Sequence, residues 1–245
     1  MTEKFGSRTK SAEAIEKGLV KVNGKSVAPS YNLKDDDKVE FLKATEHFVS
    51  NGGYKLSKAI KDFNFSVKGK IFADVGASNG GFTDCLLQNG ASKVYCIDVG
   101  ESQLDSSLRD KSVVIIDNFN ARNLNVRMFA DRLDGVVIDV SFISLTYILE
   151  AVCSVLQDNG EIIALIKPQF ECESKNVGKN GIVKKPEVHK RVLRKIYDFA
   201  LSCNLYPIGL TTAPIVQGKN IEYLIYLDKK GDSKPFDSLI ENVTF

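Results

Sequence analysis

The sequence is poor in several residue types that mark particular classes of protein. It has no tryptophan, two histidines and five cysteines, and no two cysteines are spaced as Cys-x-x-Cys. An odd number of unpaired-looking cysteines argues against a disulfide framework and structural zinc, and it favours a reducing, cytoplasmic location. Apolar runs of 18 residues are absent, as is the apolar core of a signal peptide. We therefore predict no metal site and expect no membrane partner.

No single charge sign dominates the 245 residues, whose formal net charge is only +2. This balance argues against a protein that coats nucleic acid through a uniformly basic surface. The first 62 residues nevertheless carry 12 basic and 9 acidic side chains, whereas the remaining residues carry 21 and 22. If an anionic partner is bound, we expect the N-terminal part of the chain to bind it. The length suits one large α/β domain with a small additional domain.

Residues 1–43 have the pattern of a small α+β domain. A helical stretch is predicted at 11–17, and Asn23-Gly24 is a strong signal for a type I′ hairpin turn, since both positions of that turn need a positive φ. Three strands are predicted around this turn, at 19–22, 25–27 and 38–42. Residues 44–54 are predicted to be a linker to the larger domain.

The larger domain, predicted at 55–245, begins with a helix at 55–63 and then alternates strands and helices. Its buried strands are expected at five apolar runs, 71–75, 93–97, 112–116, 135–140 and 161–166. Runs with little period-two alternation suit strands covered on both faces, and their alternation with helices predicts a doubly wound parallel sheet. No helix separates 206–211 from 221–227, so these two strands are predicted to pair antiparallel.

A glycine-rich loop follows the first of these strands. It contains Asp74, Gly76, Gly80 and Gly81, in the pattern acidic-x-Gly-x-x-x-Gly. This pattern fits S-adenosylmethionine (SAM) better than the Gly-x-Gly-x-x-Gly of a nicotinamide site, because Asp74 can neutralise the ammonium of SAM while loop N–H groups take its carboxylate. Asp98 ends the next strand and is expected to accept hydrogen bonds from ribose hydroxyls.

Ionisable residues also follow two later strands. Asp139 and Lys167 each come directly after an apolar run, so a parallel sheet would bring both to the edge that carries the cofactor. A lysine at such a position is costly unless paired, which favours a site role over a side chain that reaches to solvent. Glu222 lies in another apolar segment, where a surface carboxylate is an equally good interpretation.

Three long motifs, beginning at Asp74 (Asp-Val-Gly-Ala-Ser-Asn-Gly-Gly), Asp139 (Asp-Val-Ser-Phe-Ile-Ser-Leu) and Ile166 (Ile-Lys-Pro-Gln-Phe-Glu), stand in one order along the chain. Together they resemble the TlyA family of rRNA 2′-O-methyltransferases, whose catalytic domain is of the FtsJ type. The resemblance covers nearly the whole chain. It implies a Rossmann-like class I methyltransferase sheet, mostly parallel with an antiparallel C-terminal strand, preceded by a small α+β RNA-binding domain.

The resemblance also implies roles for individual residues. The catalytic Lys-Asp-Lys-Glu set of the family falls on Lys55, Asp139, Lys167 and Glu222. The implied cofactor-binding residues are Asp74, Gly76, Ser78, Gly80, Gly81, Asp98 and Asn120. We interpret Lys167 as the general base for a ribose 2′-hydroxyl, with Lys55 placing that oxygen, because burial and a second ammonium both favour the neutral amine.

The front domain resembles the S4 (S-four) RNA-binding domain. Its first helix is expected to be short or missing, since few residues precede Gly6-Ser7-Arg8. Phosphate contacts are expected from Arg8, Lys10, Lys17, Lys21 and Lys25. The expected partner is rRNA within ribosomal subunits, with the large subunit favoured; the oligomeric state is left open. Two alternatives remain, a methyltransferase that acts on a base and a membrane-active haemolysin.

Overall fold

The computed structural model describes residues 7–16, 20–34, 36–41, 47–101, 103–216 and 218–245. The chain divides into two compact units, residues 1–47 and 48–245. Each unit has its own sheet.

The first unit is a small α+β domain. Helix α1 (Arg8–Glu16) is followed by strands that pair antiparallel in the order β2-β1-β3, namely β1 (Val20–Val22), β2 (Lys25–Ser26) and β3 (Val39–Phe41). Asn23 and Gly24 have φ values of 51° and 74°, as the predicted type I′ turn requires. The Asn23 amide donates to Asp37 Oδ1 at 2.7 Å, so Asp37 fixes this hairpin.

The second unit is built on a seven-stranded sheet. Its strands are β4 (Ile71–Val75), β5 (Lys93–Ile97), β6 (Val113–Ile116), β7 (Leu133–Ile138), β8 (Leu156–Ile166), β9 (Tyr206–Thr212) and β10 (Tyr223–Asp228). Their order is β6-β5-β4-β7-β8-β10-β9. The strands β4 to β8 are parallel to one another. Strand β10 runs antiparallel to both β8 and β9. The predicted antiparallel pair near the C-terminus is therefore confirmed.

Helices cover this sheet, as the apolar runs predicted. They are α2 (Asn51–Phe63), α3 (Gly81–Gln88), α4 (Leu149–Val155), α5 (Pro168–Glu171), α6 (Pro186–Ser202) and α7 (Phe236–Ile240). Short 3-10 turns occur at Ser106–Leu108, Ala121–Asn123, Val126–Met128, Leu145–Tyr147 and Ser174–Asn176. Successive strand residues pack on opposite faces: Phe72 and Val137 join one buried cluster, whereas Val75 and Ile138 join the other.

Helix α2 begins at Asn51, four residues before the predicted start at Lys55. Two consecutive glycines made an early start look unfavourable by helix propensity. The packing of the helix explains why they are helical. A Cβ on Gly81 would lie 2.9 Å from Gly53 N and 3.1 Å from Gly52 Cα, so the first turns of α2 and α3 approach at backbone distance. This packing outweighs the propensity cost.

Candidate active site

Four predicted catalytic residues lie at one edge of the large sheet. Asp139 and Lys167 follow directly after β7 and β8. Glu222 directly precedes β10, and because β10 is antiparallel, its first residue lies at the same edge. The register pairs Tyr223 with Ile166, which places Glu222 next to Lys167. Lys55 approaches from α2.

These four side chains form two ion pairs. Lys167 Nζ lies 2.6 Å from Asp139 Oδ1, and the Lys167 side chain is 11% exposed. Lys55 Nζ lies 2.7 Å from Glu222 Oε2. Each ammonium is therefore paired with a carboxylate.

A fifth residue, Ser141, belongs to this group. The Lys167 ammonium donates a hydrogen bond to Ser141 Oγ at 2.8 Å. Sequence reasoning quoted Ser141 within a motif and gave it no role. The available signal was its position two residues after Asp139, on a loop that follows a strand into the expected site.

Two adjoining cavities open beside these residues, with volumes of about 350 and 380 Å³. Both are lined by Gly76, Ser78, Asp139 and Ser141. The first extends past Asp98 and Asn120 between apolar side chains, namely Ile97, Val99, Phe119, Ile143 and Ile148. The second reaches Gly81 and Lys167. Together they offer one apolar chamber that leads to a polar chamber containing the Lys167 amine.

The glycine loop lies between these cavities and the sheet. Gly76 has a φ of 84°, and a Cβ there would lie 2.7 Å from Asp139 O, so only glycine allows the loop to pass this closely. A Cβ on Gly80 would instead meet the side chains of Leu104 and Leu108. Of the predicted cofactor residues, Gly80 and the fully buried Asp74 do not line either cavity.

Most N–H groups of this loop donate within the protein. Gly76 N and Ala77 N both donate to Ile97 O, and Gly80 N donates to Ala77 O. Ser78 N donates to Asp98 Oδ2 at 2.8 Å. The expectation that loop N–H groups take a ligand carboxylate is therefore not met at these four positions, because the tight turn uses them to fix its own shape.

Asp98 and Asn120 are held by short backbone contacts at the edge of the first cavity. Asp98 Oδ1 accepts from Gly100 N at 2.8 Å, in addition to the contact of its other oxygen with Ser78 N. Asn120 Oδ1 accepts from Arg122 N at 3.1 Å and caps a 3-10 turn. Each carboxylate oxygen of Asp98 keeps a lone pair for a ligand hydroxyl, and the Asn120 amide keeps its donor group.

Asp74 lies behind the loop and is completely buried. Its Oδ2 accepts from Thr83 N at 2.9 Å and from Thr83 Oγ1 at 2.7 Å, whereas Oδ1 has no hydrogen-bond partner among the residues that the structure describes. Burial, assisted by the charges of Asp139 and Asp98, raises the pKa of Asp74 to about 7. Three carboxylates thus converge on this loop, which suits a ligand with positive charge.

A buried carboxylate, Glu171, ties the two catalytic loops together. Its Oε1 accepts from Leu145 N at 2.7 Å, and its Oε2 accepts from Ser144 Oγ at 2.5 Å and from Lys195 Nζ at 3.1 Å. Glu171 belongs to the short helix that follows Lys167, and Ser144 ends the loop that begins at Asp139. Sequence reasoning missed this contact, since the two residues are 27 positions apart.

Replacing Glu171 with alanine is expected to lower the free energy of unfolding by about 3 kcal/mol, because it leaves buried donors at Ser144 and Leu145 without an acceptor. Urea denaturation of both proteins measures this difference. Glu173→Ala is the matched control: its exposed carboxylate forms an ion pair with exposed Lys175, so stability should not change. Equal stability of Glu171→Ala and the parent would contradict the assignment.

The predicted RNA-binding residues are described only in part. Arg8 is exposed at the start of α1, and Lys21 is half-buried in β1. Lys10 lies in α1 and Lys25 in β2. Lys17 lies outside the described residues, as does the segment before Ser7 that was expected to hold a short or missing helix.

The sheet order, the antiparallel strand and the cavities at the carboxyl ends of the parallel strands define a Rossmann-like methyltransferase domain. The sequence profile of the FtsJ-like methyltransferases matches residues 48–229, and that of the S4 domain matches residues 3–39. Hemolysin A of Brachyspira hyodysenteriae is 42% identical over 224 residues, which cover 90% of this chain and 93% of that protein. The 16S/23S rRNA (cytidine-2′-O)-methyltransferase TlyA of Mycobacterium tuberculosis is 36% identical over 92% of this chain and 86% of its own.

A solved structure from Streptococcus thermophilus, provisionally named a hemolysin, is also similar, with a TM-score of 0.76 and 37% identity over 97% of this chain and 90% of that one. The chain belongs to the TlyA family, in which an FtsJ-like methyltransferase domain follows an S4 domain. The predicted fold class is confirmed.

Two further observations concern membrane-spanning helices and metal sites. Across the described ranges, no helix has both the length and the apolar character needed to cross a membrane. The same ranges contain no group of three or more His, Cys, Asp or Glu side chains arranged to hold a metal ion.

Proposed function

We propose that this protein transfers a methyl group from SAM to the ribose 2′-hydroxyl of a cytidine in ribosomal RNA. The observation that carries the proposal is the Lys167 amine, held by Asp139 at 2.6 Å beside two adjoining cavities. Support for the substrate comes from the Mycobacterium tuberculosis relative, named for cytidine-2′-O methylation of 16S and 23S rRNA, and from the S4 domain.

The residues around the glycine loop fit SAM. Asp74 lines neither cavity, so its Oδ1 would attract the ammonium of the methionine end through water. Asp98 would hold the ribose hydroxyls, and the apolar side chains beyond Asn120 would enclose the adenine. A net negative loop also fits the positive sulfonium and disfavours the pyrophosphate of a dinucleotide. When bound, SAM supplies an electrophilic methyl group.

Lys167 is proposed as the general base. A ribose hydroxyl is a weak acid, so its oxygen becomes a good nucleophile only as its proton leaves. In the neutral form, the Lys167 amine takes that proton, and Asp139 stabilises the ammonium that results. The Lys55 ammonium, held by Glu222, donates to the 2′-oxygen and keeps it in line. The Lys167–Asp139 pair thereby removes the proton, and the Lys55–Glu222 pair positions the oxygen.

The front domain is proposed to hold rRNA within a ribosomal subunit, with the large subunit favoured. Arg8 is exposed on α1 and available to a phosphate, and Lys21 lies on the neighbouring strand. Such contacts position a substrate without reading its sequence. Selection of the nucleotide then depends on which ribose reaches Lys167.

Incubation of the protein with methyl-labelled SAM and unmodified ribosomal subunits tests this function. The expected result is label in one subunit, at a position that resists alkaline cleavage, as 2′-O-methylation requires. Label that stays with an alkali-sensitive nucleotide would instead indicate methylation of a base. Failure to label either subunit, combined with dye release from liposomes, would replace the proposal with the haemolysin alternative.

SAM affinity is expected to rise with pH below neutrality. Asp74 has a pKa of about 7, and the ammonium of SAM favours its ionised form. The ionised fraction of such a group is about a tenth at pH 6 and about three quarters at pH 7.5, so affinity should increase about eightfold over that interval. Titration calorimetry at both pH values measures this increase. In Asp74→Asn, SAM should bind more weakly at pH 7.5 and with little pH dependence; an unchanged pH dependence in this variant would refute the role of Asp74.

A further inference from the structure

We propose that Ser141 is a positioning residue that directs the lone pair of Lys167 toward the substrate hydroxyl. This inference rests on the proposed role of Lys167 as the base. It concerns a residue that contacts neither the reacting oxygen nor the methyl group but acts through the amine that does.

The contacts of Lys167 Nζ carry the argument. A tetrahedral nitrogen has one bond to Cε and three other directions. Ser141 Oγ at 2.8 Å accepts a hydrogen bond from one of them, whereas Asp139 Oδ1 at 2.6 Å makes an ion pair that lacks hydrogen-bond geometry. When the amine is neutral it has two N–H groups and one lone pair. With one N–H held by Ser141 and the other attracted by the charge of Asp139, the lone pair takes the direction away from both.

The ion pair with Asp139 alone cannot fix that direction. A rotation of 120° about the Cε–Nζ bond lets either N–H face the carboxylate, so the lone pair could take either remaining direction. The hydrogen bond to Ser141 Oγ is a second fixed point, and two points define the orientation of the amine. Lys167 and Ser141 both line the second cavity, so the lone pair is available to the space proposed for the substrate and cofactor.

The loop that carries Ser141 is anchored at both ends. Asp139 N donates to Val75 O at 3.0 Å, and Ser144 Oγ donates to buried Glu171. Between them, Phe142 has a φ of 64°, a left-handed conformation that is unfavourable for a side chain of this size. The loop is therefore held in one shape, which gives Ser141 a fixed position although its side chain is exposed.

Ser141→Ala is the test, with Ser141→Thr as the rescuing variant. We expect kcat to fall about tenfold in Ser141→Ala, while KM for the ribosomal subunit and Kd for SAM stay within twofold, because only the orientation of the base is lost. Ser141→Thr keeps the hydroxyl and should restore most of kcat. Ser154→Ala is the matched control, since that exposed serine lies on α4 and donates a hydrogen bond to Ala151 O within the same helix.

A double variant separates this proposal from the proposed function. If Ser141 acts through Lys167, then Lys167→Ala/Ser141→Ala should be no slower than Lys167→Ala alone. A further tenfold loss in the double variant would overturn the proposal and leave Lys167 as the base. Parent-like kcat in Ser141→Ala would do the same. Full activity of Lys167→Ala would overturn both the base assignment and the role of Ser141.

Discussion

Replacement of Lys167 with alanine is expected to reduce methyl transfer by about 10³-fold. General base catalysis contributes roughly 10²- to 10⁴-fold, and alanine also leaves the Asp139 carboxylate without its partner. SAM affinity should be nearly unchanged, since the residues proposed to bind the cofactor remain. Single-turnover kinetics with labelled SAM measure the transfer rate, and calorimetry measures SAM binding.

A second variant, with a control, shows whether catalysis needs proton removal by Lys167 or only its positive charge. Lys167→Arg keeps a cation beside Asp139, but a guanidinium cannot become neutral at any working pH, so this variant should be as slow as the alanine variant. Lys58→Ala, one turn along α2 from Lys55, removes an exposed lysine paired with Asp62 and should leave the rate unchanged. Near-parent activity in Lys167→Arg would assign Lys167 an electrostatic role in place of proton removal.

The second large effect is expected at Gly76. In Gly76→Ala the new Cβ would lie 2.7 Å from Asp139 O, so either the glycine loop or the Asp139 loop must move. Both loops line the proposed cofactor site, and we expect SAM affinity to fall by at least about 30-fold and transfer to become undetectable. The free energy of unfolding should also fall by about 2 to 4 kcal/mol from strain and overpacking.

Gly69→Ala separates these causes. Gly69 has a φ of 76°, close to that of Gly76, but a Cβ there meets no atom within 4 Å. This variant should therefore have only the cost of a left-handed alanine, about 1 kcal/mol, with normal SAM binding. Equal loss of SAM affinity in both variants would mean that backbone strain alone, and not the close approach to Asp139, explains the need for glycine at position 76.

Much of the sheet could be predicted because its strands are short apolar runs with clear ends. The predicted strands at Ile71–Val75 and Lys93–Ile97 coincide with β4 and β5. The start of α2 could not be predicted, since its glycines are favourable only against Gly81, which is distant in sequence. Local propensity carries no information about that partner.

The candidate site was likewise predictable only in part. Asp139 and Lys167 could be placed together because the carboxyl ends of parallel strands share one edge. Ser141 and Glu171 could not be assigned, since their roles depend on the path of a loop after its strand ends. The prediction that loop N–H groups bind a ligand carboxylate was wrong at four positions for a related reason. The sequence pattern does not reveal how tightly the turn closes on Ile97 O.

The antiparallel strand β10 has a consequence for how the enzyme is completed during synthesis. Residues proposed to hold SAM lie between 74 and 120, where the strands β4, β5 and β6 are consecutive neighbours in the sheet. The carboxylate that holds Lys55 arrives only with Glu222, when β10 inserts between β8 and β9. In a growing chain the catalytic arrangement is therefore completed only after residue 222 has been made, and methyl transfer would begin only after that point.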